Sequence, residues 1–592
     1  MRKKILYVLM YFTTTIYSQV EVKQNTFIFN KASLLFIKAH LNLSETSSSL
    51  FLRNNGQLIQ GTTATSDNKG LGFLSVYQVG SVNNFGYNYW CSPIGKTSSS
   101  SGNEYFSIDL LSVPNSIQYS NPIVALPYNS LDGLTNTGYL AIASRWIWRF
   151  LSSDVYADWV YTGNNFDITA GQGFTMKGTK GTDNTNVSEI TVNNPGSAQR
   201  YDFRGKPNDG TIPVQVAIDN FTLTGNPYPS FLDVNHFLLD QDNANCTGTA
   251  YYWEQKENAD SHILTDYEGG YGVYSPISLF SEGIYVAATF DTYTSSGELN
   301  TIGTSSGLSI NRRYAPIGQG FMIEGAVNGN VALKNKHRVY HASNTVPKIE
   351  NKSTAIHQSN QTIIPQIRLN ISFDNKKTRQ IVLALLDEAT DEVDRGIDAR
   401  NPNGDHALND AYFLINNDSY IIQGIKFDND KTIKLGLNIG SKNKVSISLA
   451  SDYNFNQNTP IYLYDNLDDS YHNLRIEKYE VSLASGIFND RFKIVFKNEL
   501  ANVETPSNDD SFFVISDYEN QLIKIYNPEL LNIEEVELFT IYGKLLYKKN
   551  DFNIESLIEF STSTYSSGVY FLKIKSKTGV AETKKFLIKN FK

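Results

Sequence analysis

The sequence is poor in cysteine and has no long apolar segment. Only two cysteines, Cys91 and Cys246, occur in 592 residues, so disulfide bonds cannot be the main scaffold. Nothing in the sequence shows whether these two lie close enough to form one bridge. The apolar run from Ile5 to Tyr17 is shorter than the roughly 20 residues of a membrane-spanning helix, and no other segment comes close.

Basic stripes and helical periodicity are also lacking. The formal net charge is −9, and no stripe of lysine and arginine offsets it, so the chain is a poor candidate for nucleic-acid binding. Long apolar patterns with a 3.6-residue period are nearly absent. In their place stand 36 tyrosines and 33 phenylalanines, among abundant Thr, Val, Ile, Ser, Asn and Gly. This composition predicts an all-β fold.

The N-terminus has the layout of a signal peptide. Basic residues 2–4 precede the apolar run, and the small residue Ser18 precedes Gln19. The order predicts a signal peptide at residues 1–18, cleaved between Ser18 and Gln19. We therefore expect export across the inner membrane.

The chain is too long for one hydrophobic core, and polar, turn-rich stretches divide it into segments. The predicted segments are the signal peptide 1–18, an N-terminal β segment 19–70, a first β repeat unit 71–200, a second β repeat unit 201–344, a linker 345–364, a β-sandwich domain 365–500, a linker 501–510 and a small C-terminal domain 511–592. We expect several β-sandwich modules in tandem, the last of them immunoglobulin-like.

A recurring phrase identifies the two repeat units. GQGFTMKG (171–178) recurs as GQGFMIEG (318–325), and Phe174 and Met176 of the first copy fall on the expected core face. The glutamines could be paired ligand donors, but glycines that permit a tight bend beside an anchoring phenylalanine explain the phrase more simply. The repeat predicts duplication of one fold unit.

Residues 367–496 contain eight short apolar runs separated by turn signals. They are IRLNISF, RQIVLALL, AYFLI, YIIQGIKF, IKLGLNI, KVSISLA, PIYLYD and RFKIVF. Regular short strands of this kind predict a sandwich of jelly-roll or immunoglobulin-like architecture.

The C-terminal residues 511–592 predict a small antiparallel sandwich. Tyr570, Leu572 and Ile574 fall on one face of a strand, and the residues between them fall on the other. Gly579 can supply the positive φ that a short hairpin turn demands, and Gly543 lies in a similar turn one strand earlier.

This region resembles the C-terminal sorting domain of type IX secretion substrates, in a type A-like form. The resemblance rests on NPELL (527–531), VELFTIYGKLL (536–546), SSGVYFLKI (566–574) and KKFLIK (584–589). Its motif residues in this sequence are Asn527, Pro528, Gly543, Gly568, Tyr570 and Lys585. Thr540 and Ile541 depart from the family pattern, where an aspartate and a small or polar residue are common. The resemblance implies export across the outer membrane by the type IX machinery, cleavage of the domain, and release of the remainder or its attachment to surface lipopolysaccharide.

The preceding modules resemble large uncharacterised secreted multi-module β proteins of the bacteria that use this system. The phrases that carry this resemblance are ATDEVDRGIDA (389–399), IYLYDN (461–466), GIFNDRFKIVF (486–496), GNPYPS (225–230) and both GQGF copies. That group implies a modular plan and no defined activity.

All five tryptophans lie before residue 254. Exposed tryptophan rings are platforms for sugar rings, so Trp90, Trp159 and Trp253 are candidate ligand-binding residues. In RWIWRF (145–150), Trp146 and Trp148 would share one strand face with a phenylalanine and leave both arginines on a solvated face. That pattern predicts core packing for these two tryptophans.

An acidic run from Asp387 to Asp405 contains the candidate metal ligands. Asp391, Asp394 and Asp398 could hold a structural calcium ion, because Ca²⁺ collects carboxylate oxygens from one flexible loop. The spacing does not match an EF-hand, and a solvated acidic loop is the alternative. No other cofactor is expected.

No convergent catalytic motif is present. Residues 303–307 match G-x-S-x-G, but no helix follows, as the nucleophile elbow requires. His337 and His341 lack the glutamate of HExxH. Paired carboxylates for glycoside hydrolysis depend on a spatial separation that the sequence does not give.

These features predict a protein that is secreted or attached to the outer cell surface, with an adhesive or structural role. The alternatives are a carbohydrate-binding protein and a glycan-active hydrolase. The expected partners are the type IX secretion machinery and surface glycans or other cell-surface components, without nucleic acid. We assign no catalytic residue.

Overall fold

Strands supply nearly all of the regular structure, which confirms the prediction of an all-β fold. The computed structural model describes residues 19–136, 139–181, 196–256, 261–295, 299–301, 303, 310–342, 364–402, 408–498, 511–517, 520–550 and 552–588. The predicted signal peptide with Ser18, almost all of linker 345–364 and all of linker 501–510 lie outside these residues. Two compact units, Met1–Phe496 and Lys497–Lys592, make up the chain. None of the described helices is long and apolar enough to cross a membrane.

The first unit begins with strands that stack in parallel. They are β1 (Val20–Val22), β2 (Phe27–Lys31), β3 (Leu34–Ile37), β4 (Leu41–Leu43), β5 (Ser49–Arg53), β6 (Gln57–Gln60) and β7 (Phe73–Val79). β1 pairs with β4, β2 with β5 and β3 with β6. β5 also pairs with β7. Residues 19–70 therefore share a sheet with the segment that follows them.

The next strands complete that sheet and add several small ones. They are β8 (Tyr87–Cys91), β9 (Ile94–Gly95), β10 (Leu111–Pro114), β11 (Ser120–Pro122), β12 (Val124–Leu126), β13 (Gly133–Asn136), β14 (Tyr139–Ala143), β15 (Trp148–Arg149), β16 (Val160–Tyr161), β17 (Gly173–Lys177), β18 (Thr179–Lys180) and β19 (Arg200–Pro207). The main sheet has the order β11-β10-β19-β7-β5-β2. β8 pairs with β17 alone in a two-stranded sheet, and this pair later forms one wall of the site.

Residues 212–339 contain β20 to β31 and one short helix. They are β20 (Ile212–Val216), β21 (Phe221–Gly225), β22 (Phe231–Asp233), α1 (Val234–Leu238), β23 (Cys246–Gln255), β24 (Gly269–Ser275), β25 (Ile284–Val286), β26 (Thr292–Tyr293), β27 (Leu299–Thr301), β28 (Tyr314–Ala315), β29 (Gly320–Gly325), β30 (Gly329–Leu333) and β31 (Arg338–Val339). The central sheet has the order β21-β29-β23-β24-β25. Short 3₁₀ turns occur at Ile108–Leu110, Ser144–Trp146, Tyr156–Asp158, Gly196–Ala198, Gln241–Asn243, Leu264–Asp266 and Asn335–His337.

Both GQGF copies bend at their first glycine. Gly171 has φ +86° and Gly318 has φ +81°, a backbone conformation that residues other than glycine rarely adopt. Phe174 and Met176 are fully buried, as are Phe321 and Ile323 of the second copy, so the expected core face is correct. The duplication of a whole fold unit stays a prediction.

Each of the eight apolar runs of residues 367–496 overlaps a strand. The strands are β32 (Gln366–Phe373), β33 (Lys377–Leu385), β34 (Ala399–Arg400), β35 (Asp410–Ile415), β36 (Asp418–Ile425), β37 (Thr432–Ile439), β38 (Asn443–Tyr453), β39 (Tyr462–Asp465), β40 (Ser470–Asn473), β41 (Tyr479–Leu483) and β42 (Gly486–Val495). All of them belong to one eleven-stranded sheet. Its core continues into the preceding segment, because Val273 of β24 and Ile284 of β25 pack in the same cluster as Ile367.

The second unit is a seven-stranded, immunoglobulin-like sandwich. Its strands are β43 (Phe513–Asp517), β44 (Leu522–Tyr526), β45 (Ile533–Thr540), β46 (Leu545–Asn550), β47 (Leu557–Ser561), β48 (Gly568–Ser576) and β49 (Ala581–Ile588). β43, β44 and β47 form one sheet, and β46, β45, β48 and β49 form the other. On β48, Tyr570, Leu572 and Ile574 are buried and Lys573 and Lys575 are exposed, as the alternation predicted.

The predicted motif residues lie in turns, at strand ends and within strands of this sandwich. Gly543 has φ +76° in its hairpin turn, and Gly568 begins β48 opposite Ile588. The hydroxyl of Tyr570 donates to the backbone oxygen of Ser566 at 2.7 Å. Pro528 and Lys585 are exposed, whereas Asn527 is fully buried.

Asn527 ties two connections of the sandwich together, and its loss is expected to destabilise this unit. Its amide nitrogen donates to the backbone oxygens of Leu531 (2.9 Å) and Glu555 (3.1 Å), and its side-chain oxygen accepts from the Leu531 N–H at 2.9 Å. Because Asn527→Ala leaves these buried groups unpaired, we expect the free energy of unfolding to fall by roughly 2–4 kcal/mol. Hydrogen exchange of peptides from residues 511–592 in the full chain measures the change. Asn520→Ala, at an exposed position, is the matched control and should cost less than about 1 kcal/mol.

Candidate functional site

An aromatic pocket of about 370 Å³ opens in the first unit, within the size range of small-molecule sites. Its walls contain four tryptophans and six tyrosines, namely Trp146, Trp148, Trp159, Trp253, Tyr87, Tyr89, Tyr156, Tyr267, Tyr271 and Tyr293. The remaining lining residues are Ala157, Thr175, His262 and Leu264. Segments far apart in the chain therefore converge on one concave aromatic surface, which we call the aromatic pocket.

The strand pair β8–β17 forms the first wall. Tyr87 and Tyr89 of β8 line the pocket, and Thr175 of β17 lies directly opposite Tyr89 in the register. Trp90 lies between them in sequence, where strand alternation turns its side chain to the other face. There it is fully buried, with its ring 5.5 Å from that of Phe203.

The strands β23 and β24 form the second wall. Trp253 of β23 lies directly opposite Tyr271 of β24, with the ring centroids 5.3 Å apart. The Trp253 ring is also nearly parallel to that of Tyr89, at 6.3 Å. The hydroxyls of Tyr89 and Tyr271 are 2.8 Å apart, which links the two walls. The indole N–H of Trp253 is buried and has no hydrogen-bond partner among the described residues.

Loops and turns complete the pocket. The 3₁₀ turn Ser144–Trp146 and the short strand β15 bring in Trp146 and Trp148, and the turn Tyr156–Asp158 leads into Trp159. The indole N–H groups of Trp146 and Trp148 donate to the backbone oxygens of Leu131 and Arg145, each at 2.7 Å. These bonds fix the orientation of the two rings in the pocket wall.

The aromatic walls rest on a rigid core. Tyr89 belongs to the hydrophobic cluster built mainly from residues 364–496, and Trp159, Trp253 and Tyr271 pack against that cluster. Packed neighbours restrict the rotamers of these rings, so the pocket is formed before a ligand arrives.

One end of the pocket is polar. Nε2 of His262 lies 2.9 Å from a carboxylate oxygen of Asp132, so this nitrogen carries the ring proton and Nδ1 accepts. The Lys177 amine lies 3.1 Å from that Nδ1 and donates to the hydroxyl of Tyr267. The same amine lies 3.7 Å from the ring centroid of Trp146. A chain Asp132–His262–Lys177–Tyr267 therefore lies at this end.

Burial shifts the proton equilibria of this polar end. It lowers the pKa of Lys177 to about 6 and also lowers the pKa of His262, against the effect of Asp132. Partial burial opposes ionisation of Asp132, but hydrogen bonds from His262 and Asn84 lower its pKa overall. Burial raises the pKa of Tyr267. Lys177 is therefore largely uncharged above neutral pH.

This burial predicts a stability difference that grows with acidity. An unfolded chain binds the Lys177 proton below about pH 10.4, whereas the folded chain binds it only below about pH 6. The stability contribution of Lys177 is thus fully present above the unfolded pKa and is lost as pH falls towards 6. We expect Lys177→Met to gain stability over the wild type by up to about 1.4 kcal/mol for each pH unit between 9 and 6. Denaturant unfolding of both proteins across this range measures the difference, and a pH-independent gap would contradict the burial of this amine.

Two of the three tryptophans that the sequence predicts to bind a ligand lie at the aromatic pocket. Trp159 and Trp253 line the aromatic pocket, and Trp90 does not, because its ring is enclosed in the core beneath β8. Their role in binding stays a prediction.

The core assignment for RWIWRF holds for Trp146 and Phe150, which are buried, and needs correction for Trp148, which is half-buried. The segment is not one continuous strand, because the 3₁₀ turn Ser144–Trp146 precedes β15. Trp146 and Trp148 consequently line the pocket. The opposite face is not solvated either, since Ile147 is fully buried and Arg149 donates to the side-chain oxygen of Gln172 at 3.0 Å.

The candidate calcium ligands do not come together as a metal site. Within the described ranges, no group of three or more His, Cys, Asp or Glu side chains is placed to hold a metal ion. Asp391 pairs with Lys431, and Asp394 accepts from the backbone N–H and the hydroxyl of Thr390. Asp398 accepts from the N–H groups of Asp394 and Gly424, and its burial raises its pKa to about 7.

Two further sequence features are the cysteine pair and the G-x-S-x-G match. Cys91 and Cys246 are both buried and free, so they do not form a bridge. Of the G-x-S-x-G match at 303–307, the structure describes Gly303 alone.

The pocket can stack flat ligands and donate hydrogen bonds to them. Aromatic faces pack against apolar ring faces, while tyrosine hydroxyls and the unpartnered indole N–H of Trp253 supply polar contacts. None of the described lining residues is an aspartate or glutamate. The surface thus suits a ring that carries hydrogen-bond acceptors.

Comparisons with solved structures give weak overall likeness. A DUF3244 family protein with an immunoglobulin-like β-sandwich fold from Bacteroides vulgatus is 16% identical, with 14% of this chain and 90% of that chain covered and a TM-score of 0.13. The extracellular domain of a one-component system from B. thetaiotaomicron is 11% identical, with 63% of this chain and 61% of that chain covered and a TM-score of 0.11. No curated protein matches the chain.

Family models match both parts of the chain. The model described as a secretion system C-terminal sorting domain matches residues 519–589. This confirms the resemblance to type IX secretion substrates, so the protein is exported by that system to the cell surface or the extracellular space and interacts with its machinery. The model described as a domain of unknown function, DUF8693, matches residues 116–496. Because this match covers more than half of the chain and contains the whole aromatic pocket except Tyr87 and Tyr89, the protein belongs to the DUF8693 family.

Proposed function

We propose that the exported protein binds a carbohydrate in the aromatic pocket and acts as a glycan-dependent adhesive protein at the cell surface. The observation that carries this proposal is the convergence of four tryptophans and six tyrosines on one cavity. Secretion to the cell surface or the extracellular space supports it, because extracellular glycans are then within reach.

The chemistry of the lining favours a sugar. A pyranose ring has apolar C–H faces and hydroxyl edges, and it therefore needs flat apolar surfaces together with polar groups at their margins. Trp253 and Tyr89 lie nearly parallel, with an angle of 6° between their rings. The unpartnered N–H of Trp253 and the linked hydroxyls of Tyr89 and Tyr271 stand beside these rings.

The lining favours binding over hydrolysis. Glycoside hydrolysis uses two carboxyl groups that flank the bond to be cleaved, and the described lining residues of the pocket contain neither aspartate nor glutamate. Asp132 contacts the polar end only through His262. This end therefore has one carboxylate, and it lies behind the lining residues. We therefore propose recognition without cleavage.

A glycan array probed with the full-length exported protein tests this function. We expect saturable binding to a restricted set of glycans, and competition by the same saccharide in solution. Failure to bind any carbohydrate, with the protein shown to be folded, would contradict the proposed function.

A further inference from the structure

We propose that the saccharide is acidic, with its carboxylate held at the end of the pocket formed by His262, Tyr267 and Lys177. This inference rests on the proposed function, since it names the class of sugar that the same pocket takes.

Two polar groups of the lining, on Trp253 and Tyr267, can donate a hydrogen bond to a ligand. The Trp253 N–H is buried without a partner among the described residues. The Tyr267 oxygen already accepts a hydrogen bond from Lys177, so its own hydrogen is directed elsewhere. With no aspartate or glutamate in the described lining, the pocket complements a ligand that is rich in acceptors.

Lys177 is a buried amine that forms no ion pair with a carboxylate in the part of the chain that the structure describes. The residue is only 4% exposed. Asp132 lies beyond the imidazole of His262 and is also 3.9 Å from Lys180. A buried ammonium is unfavourable unless an anion and hydrogen bonds compensate it. The amine is therefore largely neutral in the free protein, and a bound anion would stabilise its protonated form.

The immediate neighbours of the amine belong to the pocket wall. The Lys177 nitrogen lies 3.7 Å from the ring centroid of Trp146 and 4.8 Å from that of Tyr87. It also contacts His262 and Tyr267, and all four residues line the pocket. A carboxylate seated against Tyr267 and His262 would therefore lie next to the amine.

The other charges around this end leave it positive when Lys177 is protonated. Arg145 lies 5.4 Å from the ring centroid of Trp146 and adds a second positive charge. The charge of Asp132 is engaged by His262 and Lys180. Tyr87 and Tyr267 stay neutral in the physiological range because burial raises the pKa of each. An aromatic cage for a cationic ligand would need a neutral or negative charge at this end.

The test is the binding of the full-length exported protein to oligouronates and to their methyl esters, which differ in carboxylate charge. The glycan array carries the same comparison over glucuronic, galacturonic and sialic acid glycans and their neutral counterparts. We expect at least tenfold tighter binding of the acids. Lys177→Met should remove this preference, whereas Lys38→Met, at an exposed lysine that does not line the pocket, should retain it.

Proton uptake supplies a second readout. Since Lys177 in the free protein is largely neutral above pH 6, a bound carboxylate must draw a proton onto it. Affinity for the acidic sugar should therefore fall as pH rises above 6, and affinity for the neutral ester should not. Burial lowers the pKa of His262, and this residue remains in Lys177→Met, so a pH dependence that persists in the variant would assign the proton elsewhere and overturn the inference.

The outcomes separate the two proposals. Equal binding of acids and esters, or an array whose hits are all neutral glycans, would overturn the acidic-sugar inference and leave the proposed function standing. Absence of any carbohydrate binding would overturn the proposed function itself.

Discussion

Trp159→Ala is expected to weaken saccharide binding by about 30-fold or more, the effect of losing an aromatic residue at a binding hot spot. The Trp159 ring lines the pocket and packs between Tyr89, at 6.0 Å, and Phe150, at 4.9 Å. Its removal deletes a stacking surface and opens the wall to water. Isothermal titration of wild type and variant with the array-selected saccharide measures the loss.

Two controls separate binding from folding in this experiment. Tyr119→Ala removes an aromatic ring that is 72% exposed and does not line the pocket, and it should leave affinity unchanged. Trp159→Phe keeps a ring at the wall and should retain part of the affinity. A folded Trp159→Ala protein with wild-type affinity would place the sugar outside this pocket.

Deletion of residues 511–592 is expected to abolish appearance of the protein at the cell surface and in the culture supernatant. The sorting domain is the part that the type IX machinery recognises, and residues 497–592 form a compact unit of their own. The described hydrophobic clusters of the first unit contain no residue of the second, so we expect the truncated chain to fold and, with the predicted signal peptide, to accumulate in the periplasm. Fractionation followed by immunoblotting measures the distribution.

A secreted control accompanies this truncation. Trp159→Ala alters the pocket and leaves the sorting domain intact, so it should reach the surface at wild-type levels. Equal surface levels of the truncated and full-length chains would contradict the assignment of residues 511–592 as the export signal.

Local sequence patterns predicted much of the fold. The alternation at Tyr570 to Ile574 and the turns at Gly543 and Gly579 agree with the burial and φ values of the second unit. The eight runs of residues 367–496 agree with strands for the same reason. Period-2 alternation and turn glycines are short-range signals. They specify local structure with little influence from the rest of the chain.

These short-range signals could not predict which strands pair with one another. The parallel stacking of β1 on β4 and of β2 on β5 joins strands that are not adjacent in sequence. No single-strand pattern encodes such a register.

The aromatic pocket was only partly predictable. The abundance of tyrosine was visible, but the meeting of Tyr89, Trp159 and Trp253 depends on how three separate segments pack. The prediction of core packing for Trp148 assumed one continuous strand, whereas a 3₁₀ turn precedes β15. The alternation within YNYWC places Trp90 on the strand face opposite Tyr87 and Tyr89. This pattern could have excluded Trp90 from a site that contains the two tyrosines.

Tryptophan fluorescence during saccharide titration tests the central claim most directly. Four of the five tryptophans line the aromatic pocket, and the fifth, Trp90, is fully buried, so emission reports on occupancy of this cavity. A saccharide bound there should shift the emission saturably, with the midpoint equal to the dissociation constant from calorimetry. Calorimetric binding with no change in emission would show that the sugar binds elsewhere and would contradict the account.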